Sequence, residues 1–454
     1  MVLIRRKGKI PSTPGCFRNK GRILPALALC LVLMLCAVSP ARGETVGNVW
    51  ELYEILRETA ENGDDTFGFT CTKGVYDLWA EDDFRSRLMT SLGLIGYQGL
   101  LTMTGGGYRI DAEQLEYIPG AKIWAYDRTG RADLLSVRER KTLAVAREIA
   151  QSAEGRAQEK ERTIHDALCA RIRYVNDGIE GNDDDCAIGA LLNGEANCDG
   201  YSDAFFLVGR LAGLEVYYFA GEAILTSEED TGHMWNLIQI RRQWVMVDVT
   251  WDDTVASGSE DGEGSTHYWF NRGTETMSLD HMWPETAEEW VTLCEEDWPE
   301  LRAEGFFDIG CETVAETVSL INSLAEQSPE EIAIRMEGDL AERLLGDGQQ
   351  GLQEMLCLTS LAAPFSCTYS RASNLLFLRS PVFDHDLIPV SDAAEFRREL
   401  DRRLPSRPET VKFILAGDFD WQEMLQDVPE RYRIRSLSYS IYGGRRLTLS
   451  EITY

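Results

Sequence analysis

Apolar residues recur along this chain with two periods, and the order in which the periods alternate outlines an architecture. Between Val49 and Gly120, residues Trp50, Leu52, Ile55 and Leu56 repeat at helical spacing, Thr66 to Thr70 has the pattern of a strand, Tyr76 to Met89 is helical again, and two further strands are split by Gly105, Gly106 and Gly107. The same order of helix, strand, helix, strand, strand recurs from Val314 to Asp384, through Val318, Ile321 and Leu324, then Ile332 to Met336, Leu352 to Leu356, and Leu375 to Leu378. In the tail it recurs again, with Phe396 and Leu400, then Val411, Phe413 and Leu415, then Trp421 to Val428, and a last strand pair turned at Gly443 and Gly444. A unit of roughly 65 to 75 residues that repeats its element order predicts a small αβαββ module, helices packed on one antiparallel sheet.

The middle of the chain breaks this rhythm. From Gly120 to Cys198 it reads as helical, with Leu143, Ala146 and Ile149 on one stripe and Ile164, Leu168 and Ile172 on another, His165 beside the latter. After Cys198, the residues Ala204, Phe205, Leu207, Val208, Leu211 and Ala212 have the spacing of a helix with one apolar face, which Gly213 stops. Cys198 therefore falls in the first turn. Free N–H groups and the positive end of the helix dipole favour a thiolate there and offer donors to an oxyanion. Two β-rich runs follow, Met234 to Ile240 and Trp244 to Val249, joined by a short turn at Arg241 to Gln243. If that loop is even, Thr250 faces His233 and Trp235 faces Asp248, so His233 and Asp248 are diagonal neighbours on one face; an odd loop without a bulge separates them. A thiol, an imidazole and a carboxylate in that order make a nucleophile, its base and the base's orienter. The candidate catalytic residues are thus Cys198, His233 and Asp248, with Trp235 shielding the last two from water. Each taken alone has a plainer reading, as a buried thiol, a core histidine or a turn aspartate.

Four ordered segments carry a family resemblance: Thr163-Ile164-His165-Asp166, Asn197-Cys198-Asp199-Gly200-Tyr201, Gly232-His233-Met234-Trp235-Asn236 and Val247-Asp248-Val249-Thr250-Trp251-Asp252-Asp253. Together they resemble the bacterial transglutaminase-like superfamily. The resemblance implies a papain-like fold over residues 121–300, with nucleophile Cys198, base His233 and orienting Asp248 acting through an acyl-enzyme. It does not choose among peptidases, amidases, transglutaminases and inactive relatives. Tyr268-Trp269-Phe270-Asn271 resembles the family's closing strand, which leaves His267 and His281 as secondary residues and His165 as a packing or capping one. Two departures stand out. Leu192 occupies the position of the papain oxyanion glutamine, six residues before the cysteine, and the upstream aromatic donor of animal transglutaminases has no match. Asn197 is either a helix cap or an amide donor.

Charge and the chain's first residues add a location. Residues 1–22 hold Arg5, Arg6, Lys7, Lys9, Arg18, Lys20 and Arg22 and no acid, an apolar run spans Ile23 to Val38, and Ala41-Arg42-Gly43 places small residues where a signal peptidase reads them. A secretory signal peptide over residues 1–43 is expected, an uncleaved anchor being the alternative, because the run is short for a spanning helix. Neither Cys30 nor Cys36 follows the small residue a lipoprotein signal needs. Past Arg42 the chain keeps 37 basic groups against 75 acidic ones, a net charge near −38. Nucleic acid is a poor partner for such a surface.

Eleven cysteines, less three in the leader and Cys198, leave an odd number, so no complete disulfide framework is expected. Spacing permits Cys294 with Cys311, or Cys357 with Cys367. Asp183-Asp184-Asp185 after Gly181-Asn182 lacks the terminal glutamate of a calcium loop, and no zinc-type spacing occurs, so neither metal nor cofactor is expected. The chain reads as a secreted α+β protein: a leader at 1–43, modules at 44–120, 312–384 and 385–454, and a transglutaminase-like catalytic domain at 121–300. Its expected partner is a protein or peptide substrate, with a cell-envelope component among the options and membrane contact only through an uncleaved N-terminal segment. The rival is a non-catalytic envelope-binding scaffold with an inactive central domain.

Overall fold

A computed structural model describes residues 45–454 except 105–106, 176–182, 224–230, 254–264, 284–290, 295–297, 304, 328, 346–349, 364, 366 and 371–373. The expected leader, Gly105 and Gly106, and the Gly181-Asn182 step lie outside the described residues. No described helix is long and apolar enough to cross a membrane. The chain divides into two compact units, one ending at Arg302 and the other running from Ala303 to Tyr454.

The first unit opens with a four-stranded sheet. Its elements are β1 (Thr45–Val46), α1 (Val49–Asn62), β2 (Thr66–Cys71), α2 (Lys73–Ala80), α3 (Asp82–Ser91), β3 (Leu94–Thr104) and β4 (Gly107–Tyr117). The strand order is β1-β2-β4-β3, with β1 parallel to β2 and the other pairs antiparallel. Leu52 and Leu56 from α1, Val75 and Trp79 from α2, and Phe67 and Phe69 from β2 are buried, which is why the apolar stripes were visible in the sequence. The helix expected over Tyr76 to Met89 is two helices. Glu81, extended at ψ 114°, ends one and starts the other.

A helical layer follows, α4 (Pro119–Arg128), α5 (Val137–Ser152) and α6 (Ala157–Arg171), and then the short β5 (Arg173–Tyr174) and β6 (Glu195–Ala196). It surrounds α7 (Cys198–Leu211), whose other neighbours are two strands of a second sheet, β7 (Glu215–Ala223) and β8 (Thr231–Ile240). This sheet is completed by β9 (Gln243–Val247), the short helix α8 (Val249–Asp252), α9 (Thr274–Met277) and β10 (His281–Met282), in strand order β10-β7-β8-β9. The sequence predicted one apolar face for α7. Instead every residue from Gly200 to Arg210 is buried, because helices cover one side and the sheet the other. Asp203 is the fully buried carboxylate inside it. Its carboxylate accepts from the amides of Gly120 at 3.0 Å and Ala187 at 2.8 Å and from the Tyr218 hydroxyl at 2.7 Å, tying α4, the loop before α7 and β7 to one point. Burial pushes the Asp203 carboxyl up to about 6, against the pull of those donors.

The second unit holds two more four-stranded sheets. One comprises β11 (Phe306–Cys311), α10 (Val314–Ser323), β12 (Glu331–Met336), α11 (Leu340–Leu345), α12 (Gln350–Cys357), β13 (Cys367–Ser370) and β14 (Leu375–Arg379), ordered β11-β12-β14-β13. The other comprises β15 (Leu387–Val390), α13 (Ala393–Arg403), β16 (Val411–Leu415), α14 (Trp421–Leu425), α15 (Val428–Arg431), β17 (Ser436–Tyr442) and β18 (Arg446–Thr453), ordered β15-β16-β18-β17. In both, the first pair is parallel and the rest antiparallel. Each of the three sheets therefore begins with an edge strand that the expected helix-first order lacked, and the second starts at Phe306 rather than at 312. Edge strands pair on one side only, and β15 contains Pro389, which an edge tolerates and which weakens a strand signal in sequence. Cys294, Cys311, Cys357 and Cys367 are free thiols, so neither permitted disulfide forms.

Candidate active site

Local chemistry places Cys198. The Asn197 side chain accepts from the Gly200 amide at 3.2 Å, so Asn197 is the helix cap of the two readings open to it. A Cβ at Gly200 would sit 2.4 Å from the Asp184 carbonyl oxygen, so only glycine lets the start of α7 lie against that loop. The Tyr201 hydroxyl lies 2.5 Å from Asp253 Oδ2 and 3.0 Å from the Ile172 carbonyl, which pins the first turn from below. Asn, Gly and Tyr in this motif thus build the helix start, and Cys198 is left partly exposed on it.

The turn between β8 and β9 decides the register. Arg241 and Arg242 both take left-handed backbone, φ 51° and 74°, the conformation of a two-residue hairpin turn. An even loop follows, pairing Asn236 with Val247 and Ile240 with Gln243, which carries His233 and Asp248 to one face. The strand stops earlier than expected, at Val247. Asp248 caps α8: its Oδ1 accepts from the Thr250 amide at 2.9 Å and the Trp251 amide at 3.1 Å, turning Val249 and Thr250 into helix.

The other carboxylate oxygen does different work. Asp248 Oδ2 lies 2.6 Å from His233 Nε2 and 3.1 Å from His281 Nε2, in a site where Asp248 is fully buried. The Cys198 thiol is among the groups that raise His233, so the two lie close enough to interact. The structure therefore brings Cys198, His233 and Asp248 together. Trp235, fully buried, packs its ring 5.7 Å from His233 and 4.8 Å from His281 and closes the site on that side. Trp251 lies tilted against it as well, 5.4 Å from His233.

Electrostatics follow from this geometry. Burial alone would lower His233, but the charge and hydrogen bond of Asp248, with the Cys198 thiol, raise it to about 9. His281 is raised to about 9 against its burial by Asp248 and Asp280. Burial opposes the charge on Asp248, yet the two imidazoles hold its carboxyl well below the usual carboxylate range. Asp199, whose Oδ1 is 3.8 Å from the Cys198 sulfur, is pushed up, first by burial. A histidine raised from 6.5 to about 9 contributes stability that is complete below 6.5 and is lost as pH rises through 9. The denaturation midpoint is therefore expected to fall between pH 7 and 9.5. In Asp248→Asn, which lacks the anion, chemical denaturation at stepped pH should show a much flatter decline.

Several groups in this network escaped the sequence reading. His281 was only secondary there, and Asp280, Asp203 and Asp199 were not singled out for a role. An aspartate directly before the apolar run Ala204, Phe205, Phe206 and Leu207 could have flagged Asp203 as a buried, satisfied carboxylate. His165, expected to pack or cap, does brace: Nδ1 lies 2.9 Å from Asp166 Oδ1 and Nε2 3.2 Å from Asp252 Oδ2, while His267 Nε2 takes the same Asp166 oxygen at 2.7 Å. Since Asp252 ends α8 and Asp248 begins it, a histidine holds each end of that short helix.

Residues 143–249 match the transglutaminase-like superfamily, a span that takes in Cys198, His233 and Asp248. The chain carries a transglutaminase-like domain. Among solved structures, the crystal structure of a TGase is 14% identical over 45% of this chain and 59% of its own, with a TM-score of 0.22. The periplasmic domain of TgpA from Pseudomonas aeruginosa, bound to ethylmercury, is 18% identical over 32% of this chain and 55% of its own, with a TM-score of 0.21. This chain thus spans less than two thirds of either. Likenesses of this size do not fix an activity. No curated protein sequence matches this one.

Proposed function

We propose that this transglutaminase-like domain is a thiol enzyme that cleaves peptide or carboxamide bonds through an acyl-enzyme, with Cys198 as nucleophile, His233 as base and Asp248 as orienter. The observation that carries the reading is the buried pair of His233 Nε2 and Asp248 Oδ2 at 2.6 Å beside the partly exposed thiol at the start of α7. His233 takes the thiol proton, the sulfur bonds to the carbonyl carbon, and the C–N bond breaks as the same proton passes to the departing amine. First-turn amides of α7 other than that of Gly200, which the Asn197 side chain accepts from, are the donors for the oxyanion. Water then attacks the thioester with its proton going to His233, the C–S bond breaks, and that proton returns to the Cys198 sulfur as the carboxylic acid leaves. The partly exposed Cys198 favours water over a lysine amine as this second acceptor, since transamidation needs a drier acyl site.

Secretion belongs to the same proposal and rests on the basic and apolar pattern of residues 1–43. So does the view that the three sheets of shared strand order are copies of one module presenting a protein or cell-envelope substrate to the enzyme. The test is capture of the intermediate. The full chain, incubated with activated amides of varied side chain and quenched in acid, should gain the mass of one acyl group on the peptide containing Cys198. Acylation that is absent from wild type, or that persists in Cys198→Ala, would favour the scaffold reading.

A further inference from the structure

His281 lies outside the three proposed catalytic residues, yet both of its ring nitrogens face carboxylates. Nδ1 is 2.7 Å from Asp280 Oδ1 and Nε2 is 3.1 Å from Asp248 Oδ2, and the residue is 1% exposed. A carboxylate oxygen accepts, so each nitrogen carries a proton unless one of the acids carries it instead. Neither acid is placed to do so. Asp248 already accepts two backbone amides on Oδ1 and His233 on Oδ2, and both oxygens of Asp280 face the Trp269 indole N–H, at 3.3 and 3.2 Å. His281 is therefore an imidazolium. Its walls are uncharged: Trp251 lies 4.6 Å away ring to ring, Trp235 lies 4.8 Å away, and on β7 its paired residue is Ala223. The charged and titratable groups facing it are Asp280, Asp248 and, at 5.5 Å between rings, His233.

We propose that His281, clamped by Asp280, is a positioning residue of the reaction: a fixed cation that orients Asp248 and withdraws part of that carboxylate's charge from His233. The inference rests on the reading of Cys198 and His233 given above. Its physical content is competition. One oxygen, Asp248 Oδ2, serves two imidazole donors, so a cation on one side weakens its hold on a proton at the other. A base that must also give its proton to a leaving amine works best with proton affinity near the working pH, and Asp248 undiluted would hold His233 protonated too firmly. His233 also faces the Cys198 thiol and Asp199, which His281 leaves unchanged.

Two measurements on the full chain test this. Long-range proton–nitrogen spectra of histidine-labelled protein at neutral pH should show both His281 nitrogens protonated. A neutral tautomer there overturns the proposal without reference to any activity. In the second, alkylation of Cys198 by iodoacetamide is followed against pH in wild type, His281→Gln and Asp280→Asn. The upper inflection, which reports loss of the His233 proton, should move up by about one unit in His281→Gln, which removes the cation, and by less in Asp280→Asn, where Asp248 still faces His281. An inflection that stays in place in folded variants makes His281 a structural brace only and overturns the proposal. A wild-type curve that His233→Ala does not alter would instead overturn the Cys198–His233 reading, and the spectra would still report on His281 alone.

Discussion

Replacing Cys198 with alanine is expected to lower turnover of any responsive amide or peptide by on the order of 10⁴-fold or more, because no other group at the site can form the thioester. The fold should not suffer. Cys198 is partly exposed, and the start of α7 is held by Asn197, Gly200 and Tyr201 rather than by the sulfur. His233→Ala should be nearly as severe, since the thiol loses its base and the leaving amine its acid, and the double variant should be scarcely worse than either single one. Steady-state rates paired with denaturation midpoints make the check. A correctly folded Cys198→Ala protein that keeps even a tenth of wild-type turnover would sink the assignment.

The second large effect falls on stability as well as on rate. Asp248 is fully buried and receives two backbone amides and two imidazoles. Asp248→Ala strands four buried donors at once, two of them cationic, and should cost about 3–5 kcal/mol of folding stability. With Val249 to Asp252 uncapped and His233 free to rotate, activity should fall with it. Asp248→Asn keeps one acceptor oxygen, so it should lose less stability and retain partial activity, about one to two orders of magnitude below wild type. Urea unfolding of the three proteins at pH 7 orders them. An Asp248→Ala protein as stable as wild type would mean that the carboxylate is not the hub that its four partners describe.

Much of the middle of the chain was legible because the relevant constraints are local. The spacing after Cys198 and the stop at Gly213, φ 83°, place a thiol in the first turn of a helix whatever surrounds it. The β-rich runs on either side of Arg241 and Arg242 are a hairpin for the same reason. Whether its loop was even was another matter, since nothing about two arginines announces left-handed backbone. The end of β9 was misjudged because Val249 and Thr250 have strand propensity, which the capping carboxylate of Asp248 overrides.

Sequence alone determined the elements that periodicity encodes, namely the apolar stripes of α1, α10 and α13, the β-rich runs, and the order of thiol, imidazole and carboxylate along the chain. Three things waited for the tertiary structure. The edge strands β1, β11 and β15 are fixed by the one neighbour each pairs with, and β15 carries a proline that masks it in a local reading. α7 is buried all round because two layers close over it, whereas periodicity reports one face. His281 meets Asp248 across 33 residues of chain, and such a meeting leaves no trace in local pattern, since a hydrogen bond between distant segments is set by how the sheet β10-β7-β8-β9 folds and not by what stands next to either residue.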